Sequence, residues 1–418
     1  MMLNWFFFLF LAFYVAYLIV EIGLDVLNLQ YVGRHKNHLP KLFEGIFSKS
    51  DYQKSIEYTI AKTNFKIFSL VLKSVLIFVL LATSFFGAVD LWLQGLLPNH
   101  PFLSSVLYPF AVGAVFYVFG LPQGYYYQFV LEEKFGFNRM DHKTFFMDQV
   151  KTIGLGLVFG LPLMAALLWI IDSTGDYWWV LGFALIMGFQ LFTAAIYPVF
   201  LAPLFNKFTP LADGTLRSRI EELARKVQFK MAGIFTIDGS KRSSHSNAFF
   251  AGLGAMRRIV LFDTLVEKQT EDEIVGVIAH EMGHCAKKHI QKSLVISSIL
   301  MLGLFFVLSK ALTWPLFYQA LGAYEPSNHV GLTLFAMFSS VFLFPISPIF
   351  TKISRINEFE ADVFSVQTTK DKEGLKSALV KLTKENLGNL TPHPWYSAYH
   401  YSHPTTIERV NAIDNLRV

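Results

Sequence analysis

Only one cysteine, Cys285, occurs in the 418 residues. An intrachain disulfide and a cysteine-based metal cluster are therefore both excluded, and the redox compartment stays open. Charge is scarce as well. Asp, Glu, Lys and Arg together make up 16% of the chain, against about a quarter in soluble domains, so a water-soluble globule is a poor fit. Hydrophobic residues fill the gap at 53%, with 43 phenylalanines among them. The formal net charge is only +5. In so apolar a chain, a small basic excess marks loops facing anionic headgroups rather than a nucleic-acid surface. The expected environment is the lipid bilayer, with no nucleic-acid partner.

The opening stretch, MMLNWFFFLFLAFYVAYLIVEIGLDVL, has no basic leader and no small-x-small cleavage site, and its apolar run outlasts a signal-peptide core. It reads as a retained first span. Apolar runs of bilayer-crossing length recur about seven times, near residues 5–27, 75–97, 102–119, 153–171, 178–204, 293–312 and 330–350. Glu21, Asp25 and Asp90 fall at or near the ends of the first two. There they either line a polar cavity or sit at headgroup level.

Loop charge alternates. YVGRHKNHLPKLFEGIFSKSDYQK, EEKFGFNRMDHK, the stretch 206–292 and the tail after Phe350 are basic, whereas QGLLPNHPF, DSTGDYWW and TWPLFYQALGAYEPSNH are not. This places every basic segment on the cytoplasmic side and the N-terminus outside. The domains expected are five membrane helices in 1–205, a cytoplasmic-side domain in 206–291, two membrane helices in 292–350, and the rest of that domain in 351–418. Within 206–291, GTLRSRIEELARKVQ reads as a helix, and GIFTID and RIVLFDTLV as short strands.

The chemistry concentrates in TEDEIVGVIAHEMGHC. Thr270 and Glu273 have capping-box spacing and start a helix. On it His280 and His284 stand one turn apart on one face, able to offer two imidazole nitrogens to one ion. Glu281 points about 100° away, suited to contact a water beside the metal rather than the metal itself. Zinc is favoured, because imidazole and carboxylate suit it and a catalytic site needs three protein ligands and an open position.

HExxH alone is not decisive; a helix with two solvent-facing histidines has the same pattern. The candidate third ligand lies in ISRINEFEADVF, just beyond the last span, where Glu358 and Asp362 share a helical face and Glu360 points elsewhere. The loop between the sixth and seventh spans lies outside, so these spans run antiparallel and their cytoplasmic extensions can lie side by side. Cys285 is off the ligand face. His289, about 140° from His284, is not expected to be a ligand. His35, His38, His142, His393 and His400 read as interfacial or loop residues, and QGYYYQF as an aromatic belt.

HEMGH followed about seventy residues later by EFEAD resembles the integral-membrane zinc metalloproteases of the type I CAAX prenyl protease family. EEKFGFNRM, SHSNAFFAGLG, IVLFDTLV and YHYSHPTTIERV resemble that family's segments in the same order. The resemblance implies a mostly α, polytopic fold: seven long helices around a chamber, capped by a zincin-like domain with a small β-sheet. It also implies one Zn2+ held by His280, His284 and Glu358, with Glu281 as catalytic base and Asn247, His403 and Arg409 assisting the substrate carbonyl or its oxyanion.

On the residues alone those helpers have plainer roles. Asn247 can hold a turn, His403 before Pro404 can cap a helix, and Arg409 can pair with Glu408 or Asp414. Asp362 is placed to take the far nitrogen of a zinc histidine, or to cap. RRIVLFDTLV is the expected edge for an extended peptide.

The expected activity is zinc-dependent endopeptidase action removing the C-terminal tripeptide of prenylated CAAX proteins or peptides. Membrane quality-control proteolysis and a non-catalytic scaffold or transporter with structural zinc are the alternatives. The expected location is multi-pass, with the site on the cytoplasmic side: a bacterial inner membrane is favoured, or the endoplasmic reticulum membrane in a eukaryote. The substrate partner is a protein or peptide, and a monomer is the simplest assembly.

Overall fold

A computed structural model describes residues 2–252, 254 and 257–417. The N-terminal half is helical: α1 (Trp5–His35), α2 (Lys49–Ala82), α3 (Phe85–Leu96), α4 (Pro101–Tyr126), the single turn α5 (Glu133–Phe135), α6 (His142–Ser173) and α7 (Trp178–Ile196). Then come β1 (Phe208–Pro210), α8 (Thr215–Lys226), β2 (Gly233–Ile237), β3 (Ala248–Ala251), β4 (Arg258–Phe262), α9 (Asp263–Lys268) and α10 (Glu271–Ala286). The chain ends with α11 (His289–Ala311), α12 (Pro315–Ala320), α13 (Asn328–Leu343), α14 (Ser347–Thr369), α15 (Lys372–Glu385), α16 (Pro394–His400) and α17 (Thr406–Asp414).

Seven helical segments among the described residues are long and apolar enough to cross a membrane: Trp5–His35, Lys49–Ala82, Pro101–Phe135, His142–Ser173, Gly175–Leu204, His289–Ala311 and Asn328–Thr369. The second differs from the sequence expectation of 75–97. Its helix starts at Lys49 with a Ser48–Asp51 capping box and stops at Ala82. Ser84 then takes a left-handed backbone (φ 52°) and α3 begins as a separate helix. Polar residues in the first half of α2 hid its start from an apolar window.

Packing runs from α1 to α2, through α3 to α4, on to α6, α7, α11 and α13, and back to α1, closing a ring. Inside it, α1, α2, α4 and α13 wall a cavity of about 860 Å³ that includes Glu21, Lys73 and Gln123. The intramembrane acids have partners. Asp25 is fully buried and meets Lys66 Nζ at 3.0 Å, Glu21 meets the same amine at 3.2 Å, and Asp90 accepts from His329 Nε2 at 2.7 Å. Interior pairing, not the headgroup level, accounts for them.

The sheet order is β1-β2-β4-β3, with β2 and β4 parallel and both outer pairs antiparallel. Ile259, Val260 and Leu261 of β4 are completely buried, as a central strand requires. This corrects the expected peptide edge: RIVLF is interior, and β1 and β3 form the two edges. One face of the sheet packs on α8 and α10 through Ile220, Leu223, Ile274, Ile278 and Met282.

Among the described residues, two of the ties between the sheet region and the membrane helices pass through π-turns. Past α4 a π-turn (Tyr127–Glu132) presents Glu132, buried, which accepts from Tyr58 Oη at 2.6 Å and from His245 at 3.2 Å. His245 also stacks on Phe137 with centroids 3.9 Å apart. Beyond α7 a second π-turn (Tyr197–Leu201) leaves the Pro198 carbonyl to accept from Arg258 of β4 at 2.9 Å. Glu132→Ala strands a buried phenol and an imidazole, and is expected to cost about 1–3 kcal/mol. Thermal unfolding in detergent should show a lower Tm for this variant, and Glu132→Gln should recover part of it.

Candidate metal centre

Helix α10 starts as its capping box dictates: Glu273 Oε2 accepts from the Thr270 N–H at 2.7 Å, and Thr270 Oγ1 accepts from the Glu273 N–H. Its inner face, Ile278, Ala279 and Met282, is completely buried. The helix lies against α14 at unusually short range. A Cβ on Gly283 would come within 3.0 Å of the Ala361 Cα, and one on Gly276 within 3.2 Å of the Leu375 backbone, so a side chain at either position pushes the neighbouring helix back by a few tenths of an ångström. Ser365 Oγ donates to the Gly276 carbonyl at 2.7 Å and sets the axial register.

That register brings three expected ligands together. Ligand atoms of His280, His284 and Glu358 all lie within 4.8 Å of one another. The two Nε2 atoms are 3.2 Å apart, and each is 3.3 Å from a Glu358 oxygen. Donors arranged tetrahedrally about 2 Å from one small divalent ion stand roughly 3.3 Å apart, so the spacing fits.

The hydrogen-bond network assigns the tautomers, and they fit too. His280 Nδ1–H donates to Asp362 Oδ1 at 2.8 Å, leaving the Nε2 lone pair facing the cluster. Glu360 accepts from His289 Nε2–H at 3.0 Å, so His289 Nδ1 accepts from His284 Nδ1–H, also at 3.0 Å. The Nε2 of His284 then faces inward unprotonated. Glu358 Oε2 is buried and has no hydrogen-bond donor. Two lone pairs and a carboxylate oxygen converge with nothing positive between them: the residues fit a cation.

Asp362 accepts from Arg409 Nε at 2.9 Å and Nη2 at 2.6 Å, and Arg409 Nη1 stands 3.5 Å from Glu358 Oε2. The plainer partners for Arg409 are engaged elsewhere, Glu408 with Arg355 and Asp414 with Lys376. Asp362 and Arg409 are both buried; losing one leaves the other uncompensated, a cost of about 3–5 kcal/mol.

Glu281 lies to one side, where it lines a cavity of about 570 Å³ with Phe249, Phe250, His284, Ser354 and Asn357. Burial there holds its carboxyl above the ordinary carboxylate range. His403 keeps 63% of its side chain exposed, with Nε2 3.3 Å from Glu358 Oε1. It sits in the loop before Thr405, which caps α17; Pro404 precedes the cap rather than opening the helix. Asn247 is exposed at the start of β3 and its Oδ1 accepts from the Ala248 N–H at 2.8 Å, while the backbone carbonyl of Asn247 accepts from the Phe262 N–H.

His289 is not expected to be a ligand, and Glu360 is expected to point away from the site. They form the support of His284, matching Asp362 behind His280. The signal was the GHCAKKH spacing, but the chain breaks at Lys288 (φ 59°) and restarts as α11 with His289 at its head. A continuous-helix wheel therefore misplaces that ring.

Two family models match. "CAAX prenyl protease N-terminal, five membrane helices" covers residues 28–207, and "Peptidase family M48" covers 210–417. The chain is 37% identical over 384 residues to a CAAX prenyl protease 1 homolog of Arabidopsis thaliana, spanning 90% of each. It is 36% identical over 413 residues to CAAX prenyl protease 1 of Saccharomyces cerevisiae, spanning 92% of this chain and 90% of the yeast protein. The chain belongs to the type I CAAX prenyl protease family. The crystal structure of S. mikatae Ste24p superposes with a TM-score of 0.90 at 34% identity, covering 98% of this chain and 99% of that one. The protein is thus a multi-pass membrane metalloprotease with a metal cofactor and a protein or peptide substrate.

Orienting partners of metal histidines typically contribute 10–100-fold in metal affinity. His289→Ala and Glu360→Gln are therefore each expected to weaken metal binding by about that range, read by chelator competition, with Tm of the metal-free protein little changed.

Proposed function

We propose that this protein removes the last three residues of proteins or peptides carrying a C-terminal prenyl-cysteine motif, using one zinc ion held by His280, His284 and Glu358. The two family matches and the names of the relatives support the substrate class. Imidazole and carboxylate donors support zinc over harder ions. The observation that carries the reading is the convergence, beside Glu281, of two inward lone pairs and a buried carboxylate oxygen that accepts no hydrogen bond. When bound, zinc polarises the scissile carbonyl and makes water a nucleophile near neutral pH.

Glu281 is the general base. Its carboxylate takes a proton from the attacking water and returns it to the leaving amine. Edge strand β3 aligns an extended peptide by strand addition, placing it along the cavity that Phe249, Phe250 and Glu281 share. His403, exposed and next to Glu358, is placed to donate to the developing oxyanion, and Asn247 at the head of β3 contacts the substrate backbone. Arg409 acts differently, because Asp362 and Glu358 engage its donors, so it positions the ligands. Alternation of basic loops supports a site on the cytoplasmic side. A bacterial inner membrane or, in a eukaryote, the endoplasmic reticulum satisfies that orientation.

Glu281→Gln is expected to lower kcat by about 10²–10⁴-fold while metal content and Tm hold. Cleavage that persists in this variant disproves the base assignment. The base must be ionised and its pKa is raised, so kcat/KM should climb with pH through that pKa. Incubating the purified protein with a farnesylated C-terminal peptide, with and without chelator, tests the substrate. Absence of chelator-sensitive trimming points to membrane quality control instead.

A further inference from the structure

The ring of helices has a second cavity, and it faces away from the chamber. It holds about 550 Å³, within the size range of small-ligand pockets. Its walls come from α1, α11 and α13, with Phe317 of α12 and Leu321 at one end. On α13 only the outer cavity takes Phe335, Ser339 and Phe342 and only the interior chamber takes Thr333, Met337 and Ser340, while Phe338 and Leu343, between the two, line both. At 100° per residue these sets lie on roughly opposite faces of one helix. The neighbours of α13 in the ring are α1 and α11, so the crevice opens between them toward lipid. Leu9 and Val307 on its lips are 40% and 53% exposed.

Its lining is hydrocarbon and aromatic except for Ser339 and, at one end, Lys310. Lys310 is exposed, its ammonium over the Phe306 ring at 5.5 Å, with no acidic partner among the described residues. Trp314 closes the same end, its ring 5.2 Å from that of Trp5. This level can be located along the bilayer normal. Helix α11 starts at His289, which touches His284, and Lys310 lies twenty-one residues further on, roughly 30 Å at helical rise. That is about one hydrocarbon thickness. Lys310 and the two indoles therefore stand at the opposite membrane surface, the place of interfacial aromatics and snorkelling lysine.

The geometry points to a phospholipid site. We propose that the crevice holds an acyl chain of one glycerophospholipid from the leaflet opposite the metal centre, its headgroup phosphate resting on Lys310. Charge complementarity selects the occupant: an apolar slot ends in one cation at headgroup height. A prenyl chain on a substrate being cleaved is a worse match. The scissile bond directly follows the prenylated cysteine, so the chain must lie near His284, not a bilayer away and behind α13.

The test uses the purified full-length protein with added dioleoylphosphatidylglycerol, followed by native mass spectrometry and thermal unfolding. Wild-type protein should retain one lipid and gain Tm with it. Ser339→Trp, which fills the slot, should cut retention by at least about tenfold. Lys310→Glu should cut it by roughly fivefold, while both variants keep peptidase activity. Should Ser339→Trp fail to fold, Leu304→Phe narrows the same slot with less intrusion. Unchanged retention in a folded slot variant, or in Lys310→Glu, overturns the proposal. So does a Ser339-dependent site that retains a farnesylated peptide in preference to the phospholipid.

Discussion

Close approach of α10 and α14 at Gly283 is the constraint on which the site depends. A larger residue there meets the Ala361 Cα, and separating the helices moves Glu358 and Asp362 away from both histidines at once. One helix carries two imidazoles a turn apart, the other two carboxylates a turn apart. Once the axes are that near, the four side chains have one way to interdigitate. The membrane ring delivers the partners: α11 leaves the last residues of α10 within two residues, and α14 continues from α13 through the single 3-10 turn Phe344–Ile346.

Electrostatics then favours a bound cation over an empty cage. Glu358 and Asp362 are buried, and Arg409 neutralises one charge between them. Two imidazole lone pairs add further negative potential in a region where burial makes charge expensive. A divalent ion resolves all of this, and the same helix contact that makes the cluster compact makes it electron-rich. His280 and His284 are each oriented from behind, one by a carboxylate and one by a second imidazole backed by a carboxylate. The two rings are thus held in different ways: Asp362 is locked by a buried guanidinium, whereas the Glu360 side chain is 44% exposed.

Much of this was legible in the sequence, for physical reasons that differ by element. Seven apolar runs stood out because lipid demands them, and the Thr270–Glu273 box announced α10 because helix ends need partners. Helical period plus one antiparallel pair of spans brought His280 and His284 near Glu358 and Asp362, and the family resemblance singled out Glu358 as the third ligand. What stayed hidden depended on backbone breaks or strand order. Ser84 and Lys288 adopt left-handed backbone without glycine, which displaces α2 from its apolar run and hides the contact of His289 with His284. Strand β3, only four residues long, left RIVLF looking like an edge, although its three consecutive buried apolar residues suited a central strand. The π-turns at Tyr127 and Tyr197 have no composition signal, yet they supply the Glu132 and Pro198 contacts that tie sheet to membrane helices.

The joint at Lys288 has one more implication. His289 is at once the first residue of a bilayer-crossing helix and the group against which a ligand ring leans. Helices whose apolar length departs from the local hydrocarbon thickness respond by tilting. Any such tilt of α11 reaches His284 through a single imidazole contact, with no intervening loop to absorb it. Bilayer thickness and the orientation of the His284 ring thus share one joint.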